Sequence, residues 1–164
     1  MKSLIDVLIF LPSLAFSFVL IEESCNDLSK LSAVEQENAV NSGYAIEAQM
    51  GFIGTSKDCD CPGIVPLYRM WSDSASDHFY TTSVDEMNKA VQDDHYKLEG
   101  TMGYCMSAPG SGLLPLYRFW DGKAQDHFYT NNENEKNSVI ANLPAYRYEG
   151  IQCYVWQSNG NKNC

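Results

Sequence analysis

The chain has 164 residues, a formal net charge of −10 and an aromatic content of 12%. This length suits a single domain with a modest core, and the aromatic content is typical of a folded, β-leaning chain rather than a disordered one. The acidic charge repels phosphate backbones and anionic lipid, which excludes nucleic acid and membrane surfaces as expected partners.

The N-terminal segment has the composition of a secretory signal. Lys2 precedes an apolar run over residues 4–21, with small residues where a signal peptidase would cleave. An uncleaved anchor is the alternative interpretation, and Asp6 inside the run argues against both. No other run is long enough to cross a bilayer, so no membrane insertion is expected. We therefore expect a signal peptide at residues 1–17, an extracellular location, and a single domain over residues 18–164.

Two sequence blocks follow, and each occurs twice at a constant offset of 49. They are Leu-Tyr-Arg-x-Trp and Asp-His-Phe-Tyr-Thr, with copies at residues 67–71 and 77–81, and again at 116–120 and 126–130. A Glu-Gly pair closes each copy, at residues 99–100 and 149–150. Recurrence at a fixed period is the signature of a repeat architecture.

A third, degenerate copy precedes these two. It is recognised by Tyr44, Glu47 and Gly51, which line up with Tyr96, Glu99 and Gly103. This copy lacks the Leu-Tyr-Arg block, and residues 18–22 are the only candidate for its first strand. The chain is thus divided into three units, at about residues 18–56, 64–107 and 113–157.

Within a unit the residue pattern predicts strand, strand, helix and strand. In the last unit these elements are expected at residues 116–120, 127–130, 132–142 and 146–156. In the unit before it, Ser83 and Glu86 have the spacing of a capping box at the start of the helix.

These elements predict the fold class. A unit of about fifty residues cannot bury its aromatic face alone, so the units must pack together. We expect an α+β domain, mostly antiparallel β, in which three pseudo-symmetric units form one compact, trefoil-like or propeller-like body. Tyr68 and Tyr117 should then lie in like environments.

The motifs also carry a resemblance. Leu-Tyr-Arg, Asp-His-Phe-Tyr-Thr and Tyr-x-x-Glu-Gly, in this order, resemble the secreted repeat family of unknown function found in bacterial, fungal and animal exported proteins, often beside hydrolase domains. The resemblance covers residues 66–156 well and 27–52 in part. It implies an extracellular, β-rich module of about three units with a carbohydrate- or cell-wall-binding role, and it implies no catalytic residues.

An even number of cysteines in an exported chain predicts disulfides. The candidates are Cys25, Cys59, Cys61, Cys105, Cys153 and Cys164. Cys105 and Cys153 lie two positions apart in equivalent strands, on the same face, and each is expected to be buried and bridged. The expected partners are Cys59 or Cys61 for Cys105, and Cys25 or Cys164 for Cys153. A zinc site at residues 59–61 is the alternative, but its spacing is one residue short of Cys-x-x-Cys, so neither a metal nor a cofactor is expected.

Two arginines lie on strand faces among apolar neighbours. Alternation along a strand places Arg118 on the same face as Leu116 and Trp120. A guanidinium there requires a carboxylate, which Asp126 or Glu149 can supply. Asp77 and Glu99 have the same positions relative to Arg69. We interpret four residues as structural support through ion pairs, namely Arg69, Arg118, Glu99 and Glu149. The alternative is that the Arg and Asp side chains stay exposed and bind a sugar hydroxyl or carboxylate.

The repeated Asp-His pairs invite a catalytic interpretation, which the rest of the sequence does not support. General acid–base catalysis needs a nucleophile or an activated water beside the histidine. The chain has neither a Gly-x-Ser-x-Gly nor a His-Glu-x-x-His motif. Two copies of one pair in successive units suit a repeated binding role, so no enzyme is expected.

The favoured function is a secreted, non-enzymatic module that binds a carbohydrate or glycoprotein in a lectin-like manner. Tryptophan offers an apolar platform, and Asp-His pairs orient hydroxyl groups. The candidate ligand-binding residues are Trp71, Asp77 and His78, with Trp120, Asp126 and His127 as their counterparts. A structural or protein-interaction domain without a small ligand is the alternative, and a glycan-acting hydrolase ranks third. The expected partners are therefore glycans or glycoproteins, and nothing in the sequence indicates an oligomeric state.

Overall fold

The computed structural model describes residues 17–20, 49–54 and 61–157. This part of the chain is mostly antiparallel β, with two helices and one sheet that curls into a half-barrel. In chain order the strands are β1 Ser17–Leu20, β2 Gln49–Ile53, β3 Ile64–Ser72, β4 Asp77–Thr81, β5 Lys97–Met106, β6 Leu113–Asp121, β7 Asp126–Thr130 and β8 Tyr146–Trp156. The helices are α1 Val84–Gln92 and α2 Glu133–Asn142. The prediction of a mostly antiparallel β fold with short helices is confirmed.

Two modules repeat the same path, β3-β4-α1-β5 and β6-β7-α2-β8. In each, the first strand pairs antiparallel with both the second and the last strand. The registers are equivalent, since Tyr68 faces Thr81 as Tyr117 faces Thr130. The pairing between first and last strand shifts register at the same positions in both modules. The repeated blocks therefore adopt repeated structure, and Tyr68 and Tyr117 lie in equivalent clusters beneath their helices.

Each helix begins where a threonine ends the second strand of a hairpin. The Ser83 side chain accepts a hydrogen bond from the backbone N–H of Glu86, as the capping-box spacing predicts. The Glu86 carboxylate does not return to Ser83, because it accepts from the Thr81 hydroxyl at 2.5 Å instead. Thr130 donates to Glu135 in the same way in the second module. This contact leaves the Glu86 carboxylate facing the neighbouring module.

The strands β2, β5 and β8 meet one another in pairs. Phe52 pairs with Trp156, and Met106 pairs with Tyr154. Gly54 and Tyr104 exchange two backbone hydrogen bonds, of 2.7 and 2.8 Å. Strand β1 pairs parallel with β2, whereas the first strands of the two modules pair antiparallel with their last strands. Residues 17–20 therefore form a strand but do not reproduce the geometry of β3 and β6.

Small residues allow the three strands to cross closely. A Cβ atom on Gly51 would lie 2.6 Å from Val155, and one on Gly103 would lie 2.6 Å from Ile53. Gly51 also has a φ of 121°, which L side chains rarely adopt. Where β8 crosses β5, the contact is the disulfide between Cys105 and Cys153.

This disulfide corrects the predicted pairing. Cys105 and Cys153 are buried and bridged as expected, but to each other, with their Cα atoms 6.0 Å apart. The expectation of partners outside the two strands was wrong because β5 and β8 cross at these positions, which brings same-face residues together. Cys61 is also disulfide-bonded. Cys25, Cys59 and Cys164 lie outside the described residues, as do residues 1–16 of the signal peptide predicted at 1–17 and most of the first unit.

The core lies between the two hairpins. Its members are buried side chains from β2, β3, β4, β5, β6, β7 and β8, namely Met50, Ile53, Leu67, Tyr80, Cys105, Leu116, Tyr129, Cys153 and Val155. At its centre the Tyr129 hydroxyl accepts from the backbone N–H of Tyr80 at 2.8 Å and donates to the Tyr80 carbonyl at 3.2 Å. Burial raises the pKa of Tyr129 well above its usual value. Among the described residues, no helix is long and apolar enough to cross a membrane.

Candidate binding surfaces at the hairpin rims

The predicted ligand-binding tryptophans and histidines lie at the turn ends of the two hairpins. Trp71 is paired across the hairpin with His78, and Trp120 with His127. The ring centroids are 4.5 Å apart in the first pair and 4.3 Å apart in the second. We call the first pair the β3–β4 rim and the second the β6–β7 rim. All four side chains are partly buried, so each rim presents an aromatic pair at the edge of the sheet.

Of the two aspartates, Asp77 is buried and Asp126 is partly buried. Asp77 is only 1% exposed and accepts three hydrogen bonds. Its donors are the Tyr96 hydroxyl at 2.6 Å, the backbone N–H of His127 at 3.0 Å, and Nδ1 of His127 at 2.6 Å. Asp77 therefore orients the histidine of the other hairpin rather than its own neighbour, His78.

The third-unit aspartate has a simpler environment. Asp126 accepts a hydrogen bond from the Tyr146 hydroxyl, which corresponds to the contact between Tyr96 and Asp77. Burial raises the pKa of Asp126, and the Tyr146 hydrogen bond opposes that rise. Burial also raises the pKa of both tyrosines, and their aspartate partners add to that effect. In the described part of the chain, no histidine side chain hydrogen-bonds to Asp126.

His127 is fixed on both ring faces and at one nitrogen. Its ring lies between Phe79, at 4.6 Å, and Trp120. Because a carboxylate only accepts, Nδ1 must carry the proton that it donates to Asp77. The other nitrogen, Nε2, is not among the enclosed side-chain nitrogens and has no partner among the described residues. It therefore reaches solvent through the 10% of the side chain that remains exposed.

His78 has a different environment. Its Nε2 lies 3.3 Å from both the Glu99 carboxylate and the Arg69 guanidinium. A protonated Nε2 donates to Glu99 and an unprotonated one accepts from Arg69, so this nitrogen is occupied in either tautomer. Nδ1 of His78 is buried without a hydrogen-bond partner in the described part of the chain. Burial, helped by the charge of Arg69, lowers the pKa of His78.

The predicted supporting ion pairs lie behind the rings. Arg118 donates from Nε to Glu149 at 2.9 Å, and Arg69 lies 2.6 Å from Glu99. The partner of each arginine is thus the glutamate of the last strand rather than the aspartate across the hairpin.

Arg118 has a second carboxylate partner that the sequence did not indicate. Both of its terminal nitrogens bind Glu86 of α1, at 3.1 and 3.0 Å, and one also donates to Gln152 and to the Tyr80 carbonyl. Burial alone would lower the pKa of Arg118, but the hydrogen bond to Glu86 and the interactions with Tyr129 and Glu149 together raise it. The same hydrogen bond lowers the pKa of Glu86. The sequence signal was the Glu at the start of α1, which the capping-box pattern assigned to Ser83.

The chemistry available at the rims is stacking and hydrogen bonding. In the described part of the chain, the Tyr96 phenol is the side-chain hydroxyl that hydrogen-bonds to Asp77 beside His127. The described residues also contain no group of three or more His, Cys, Asp or Glu placed to hold a metal ion.

Comparison with known proteins places the chain in a family without assigning an activity. Among curated proteins and solved structures, none matches the chain significantly. One family model does match, over residues 22–156, and its description is Domain of unknown function (DUF5648). Because this match spans most of the chain and both rims, the chain belongs to the DUF5648 family.

Proposed function

We propose that this protein is a secreted, non-enzymatic module that binds a polysaccharide or a glycoprotein. The observation that carries the proposal is the pairing of a partly buried Trp with a His ring at the turn end of both hairpins. Such a surface combines an apolar face for the C–H groups of a sugar ring with nitrogen atoms for its hydroxyls. The rigid frame behind it, made of Arg–Glu pairs, preorganises the rings.

Two further features support this reading of the molecule. The buried Cys105–Cys153 disulfide is compatible with an oxidising, extracellular location. In the Asp77–His127 contact, Asp77 also accepts from the Tyr96 hydroxyl and from the backbone N–H of His127, so the carboxylate is held in place. Its role is to hold the imidazole in one tautomer, which a binding site also needs.

We also propose that the family domain is built from three units around a pseudo-threefold axis. The support is a cyclic pattern of contacts among the last strands of the units. Positions 54, 106 and 156 are equivalent in the three units, and so are positions 52, 104 and 154. Position 54 pairs with 104, position 106 pairs with 154, and position 156 pairs with 52. The side-chain contacts follow the same cycle, as Gly51 meets Val155, Gly103 meets Ile53, and Cys153 meets Cys105.

The cycle can be tested at the disulfide. Replacing Cys105→Ile together with Cys153→Gly recreates the contact that Ile53 makes with Gly103. This double variant should be more stable to urea than Cys105→Ala with Cys153→Ala, which fills neither position. If the alanine pair is the more stable of the two, the three positions are not equivalent and the threefold arrangement is rejected.

Binding is tested with a panel of soluble hexasaccharides, namely chitohexaose, cellohexaose, laminarihexaose and xylohexaose, and with a printed array of glycoprotein glycans. The parent protein is expected to bind at least one class, and Trp71→Ala combined with Trp120→Ala should lose that binding. Tyr148→Ala removes another exposed aromatic ring, which packs on Phe119 rather than on Trp120 or His127, and should retain the binding. Circular dichroism verifies folding of each variant. Absence of binding to every glycan by the parent would reject the proposal.

A protein-interaction function is the second candidate. It is favoured by apolar side chains that remain 39–53% exposed, namely Val84, Val91, Leu98, Ile140, Tyr148 and Ile151. This function would be favoured if the parent binds no glycan but forms a complex with another protein, and if Leu98→Ser and Ile151→Ser disrupt that complex.

A further inference from the structure

We infer that ligand recognition belongs to the β6–β7 rim alone, where Trp120 Nε1 and His127 Nε2 offer a donor and an acceptor to neighbouring hydroxyls of a sugar. The β3–β4 rim is closed by its own side chains. This inference rests on the proposed function and adds which of the two similar surfaces performs it.

The first difference between the rims is the indole N–H. Trp71 Nε1 donates to the Asp73 carboxylate at 2.7 Å, and Asp73 also pairs with Lys97. Trp120 Nε1 has no hydrogen-bond partner among the described residues and is not enclosed. The indole N–H is therefore occupied at one rim and available at the other.

The second difference is the histidine. At the β3–β4 rim, Nε2 of His78 is occupied by Glu99 and Arg69, and Nδ1 is buried. At the β6–β7 rim, Nδ1 of His127 donates to Asp77, so in the neutral imidazole the lone pair is on Nε2, a nitrogen that is not enclosed. A ring that is nine-tenths buried and held on three sides presents this nitrogen without loss of side-chain entropy on binding.

Both differences have a sequence cause. Asp73 and Gly122 occupy the same position of the two hairpin turns at the offset of 49, and glycine has no side chain to cap the indole. A Cβ atom added to Gly122 would lie 3.2 Å from Trp120 Nε1, so this position directly covers the N–H. Asp77, in the preceding module, provides the carboxylate that binds His127 at the β6–β7 rim. The first unit has no Asp-His block that could provide an equivalent carboxylate for the β3–β4 rim.

The open groups define the class of ligand. The rings of Trp120 and His127 are adjacent, with their centroids 4.3 Å apart, and one ring offers a donor while the other offers an acceptor. A sugar with vicinal hydroxyls satisfies both, because a hydroxyl group donates and accepts. The exposed part of the indole supports the apolar face of the same ring. The surface therefore suits a neutral pyranose rather than an anion.

Matched substitutions separate the two rims. Isothermal titration of the full chain with the hexasaccharide that the parent binds best should give one site per chain. Trp120→Phe keeps an aromatic ring but loses the N–H, and should weaken binding about tenfold, since one hydrogen bond contributes about 1.4 kcal/mol. Trp71→Phe should leave the affinity within about twofold of the parent, because its N–H already serves Asp73.

A second set of variants tests whether covering the indole N–H weakens binding, and it removes no aromatic ring. Gly122→Asp transfers the cap of the β3–β4 rim to the β6–β7 rim and should weaken binding at least as much as Trp120→Phe. Gly122→Ala adds only the Cβ atom and should have the smaller effect. Asp73→Gly should not weaken binding.

The outcomes distinguish the inference from the proposed function. Two sites per chain, or equal losses from Trp71→Phe and Trp120→Phe, would overturn the inference while leaving glycan binding intact. Failure of the parent to bind any hexasaccharide or arrayed glycan would overturn both. One site, lost through Trp120→Phe and Gly122→Asp but not through Trp71→Phe, supports both.

Discussion

The hairpins β3–β4 and β6–β7 contain nearly the same residues in the same register, yet their polar side chains have different partners. In the later hairpin, Arg118 and His127 each take a carboxylate from the module before it, Glu86 and Asp77. In the earlier hairpin, His78 instead lies beside Glu99 of its own module, which also pairs with Arg69. Repetition of sequence therefore fixes the backbone, whereas the neighbour that precedes each unit decides how its polar groups are satisfied.

Removal of the disulfide that joins the last strands of the two modules should have the largest effect on stability. The Cys105–Cys153 disulfide joins strands that are 48 residues apart in sequence. Replacing both cysteines by alanine removes this cross-link and should lower the free energy of unfolding by about 4 kcal/mol, mainly because the unfolded chain gains freedom. Urea denaturation of the double variant measures the difference. A loss of unfolding free energy below about 1 kcal/mol would show that the contacts between the strands hold the two modules together without the disulfide.

Substitutions of the two aspartates should also differ in how much unfolding free energy they cost. Asp77→Asn replaces a buried acceptor of three hydrogen bonds with an amide whose NH2 group faces donors, which should cost about 3 kcal/mol. Asp126 accepts one described hydrogen bond and has a raised pKa, so a neutral side chain suits its site better. Asp126→Asn should therefore cost less than about 1 kcal/mol. Equal losses in urea denaturation would contradict the asymmetry of the hairpins.

The helix glutamates provide a third comparison. Glu86 accepts from Thr81 and binds Arg118, whereas Glu135 accepts from Thr130 and has no arginine among the described residues. Glu86→Gln breaks the ion pair with a buried guanidinium, although Glu86 is partly exposed and Arg118 retains Glu149, so a loss of about 2 kcal/mol is expected. Glu135→Gln keeps an oxygen for Thr130 and should cost about 0.5 kcal/mol. Thermal unfolding of the two variants should separate them clearly, and a larger shift for Glu135→Gln would contradict this account.

The sequence predicted what depends on local periodicity. The fixed offset between Leu67 and Leu116 placed both hairpins, and alternation along β6 placed Arg118 on the same face as Leu116, which lies in the core. The cap at Ser83 followed from residue type and spacing. These features need only a strand, a turn or a helix start to be recognised.

Contacts between units were not accessible in this way. Periodicity assigns a side chain to a face, but it does not say which unit lies opposite that face. The pairs Asp77–His127 and Glu86–Arg118 both cross between modules, and each residue had a plausible partner nearer in sequence. The Cys105–Cys153 bridge was missed for the same reason, because strand crossing was not part of the pattern.

Titration of His78 offers the smallest and most selective test of the comparison. Burial and Arg69 lower its pKa in the folded protein below the ordinary value of 6.5. The unfolded chain then takes up the proton first, so this group stabilises the fold above pH 6.5 and the stabilisation is lost as the pH falls below that value. Urea midpoints measured from pH 7.5 to pH 5 should decline, and His78→Gln should reduce the decline.

The matched control for this titration is His95→Gln, since that ring lies exposed in the turn before β5. It should leave the decline unchanged. The pH range also matters, because Glu86, whose pKa is lowered by Arg118, adds its own acid sensitivity only as the pH approaches the ordinary carboxyl range near 4.5. A slope that His95→Gln changes as much as His78→Gln would show that the β3–β4 rim does not bury its histidine in the neutral form.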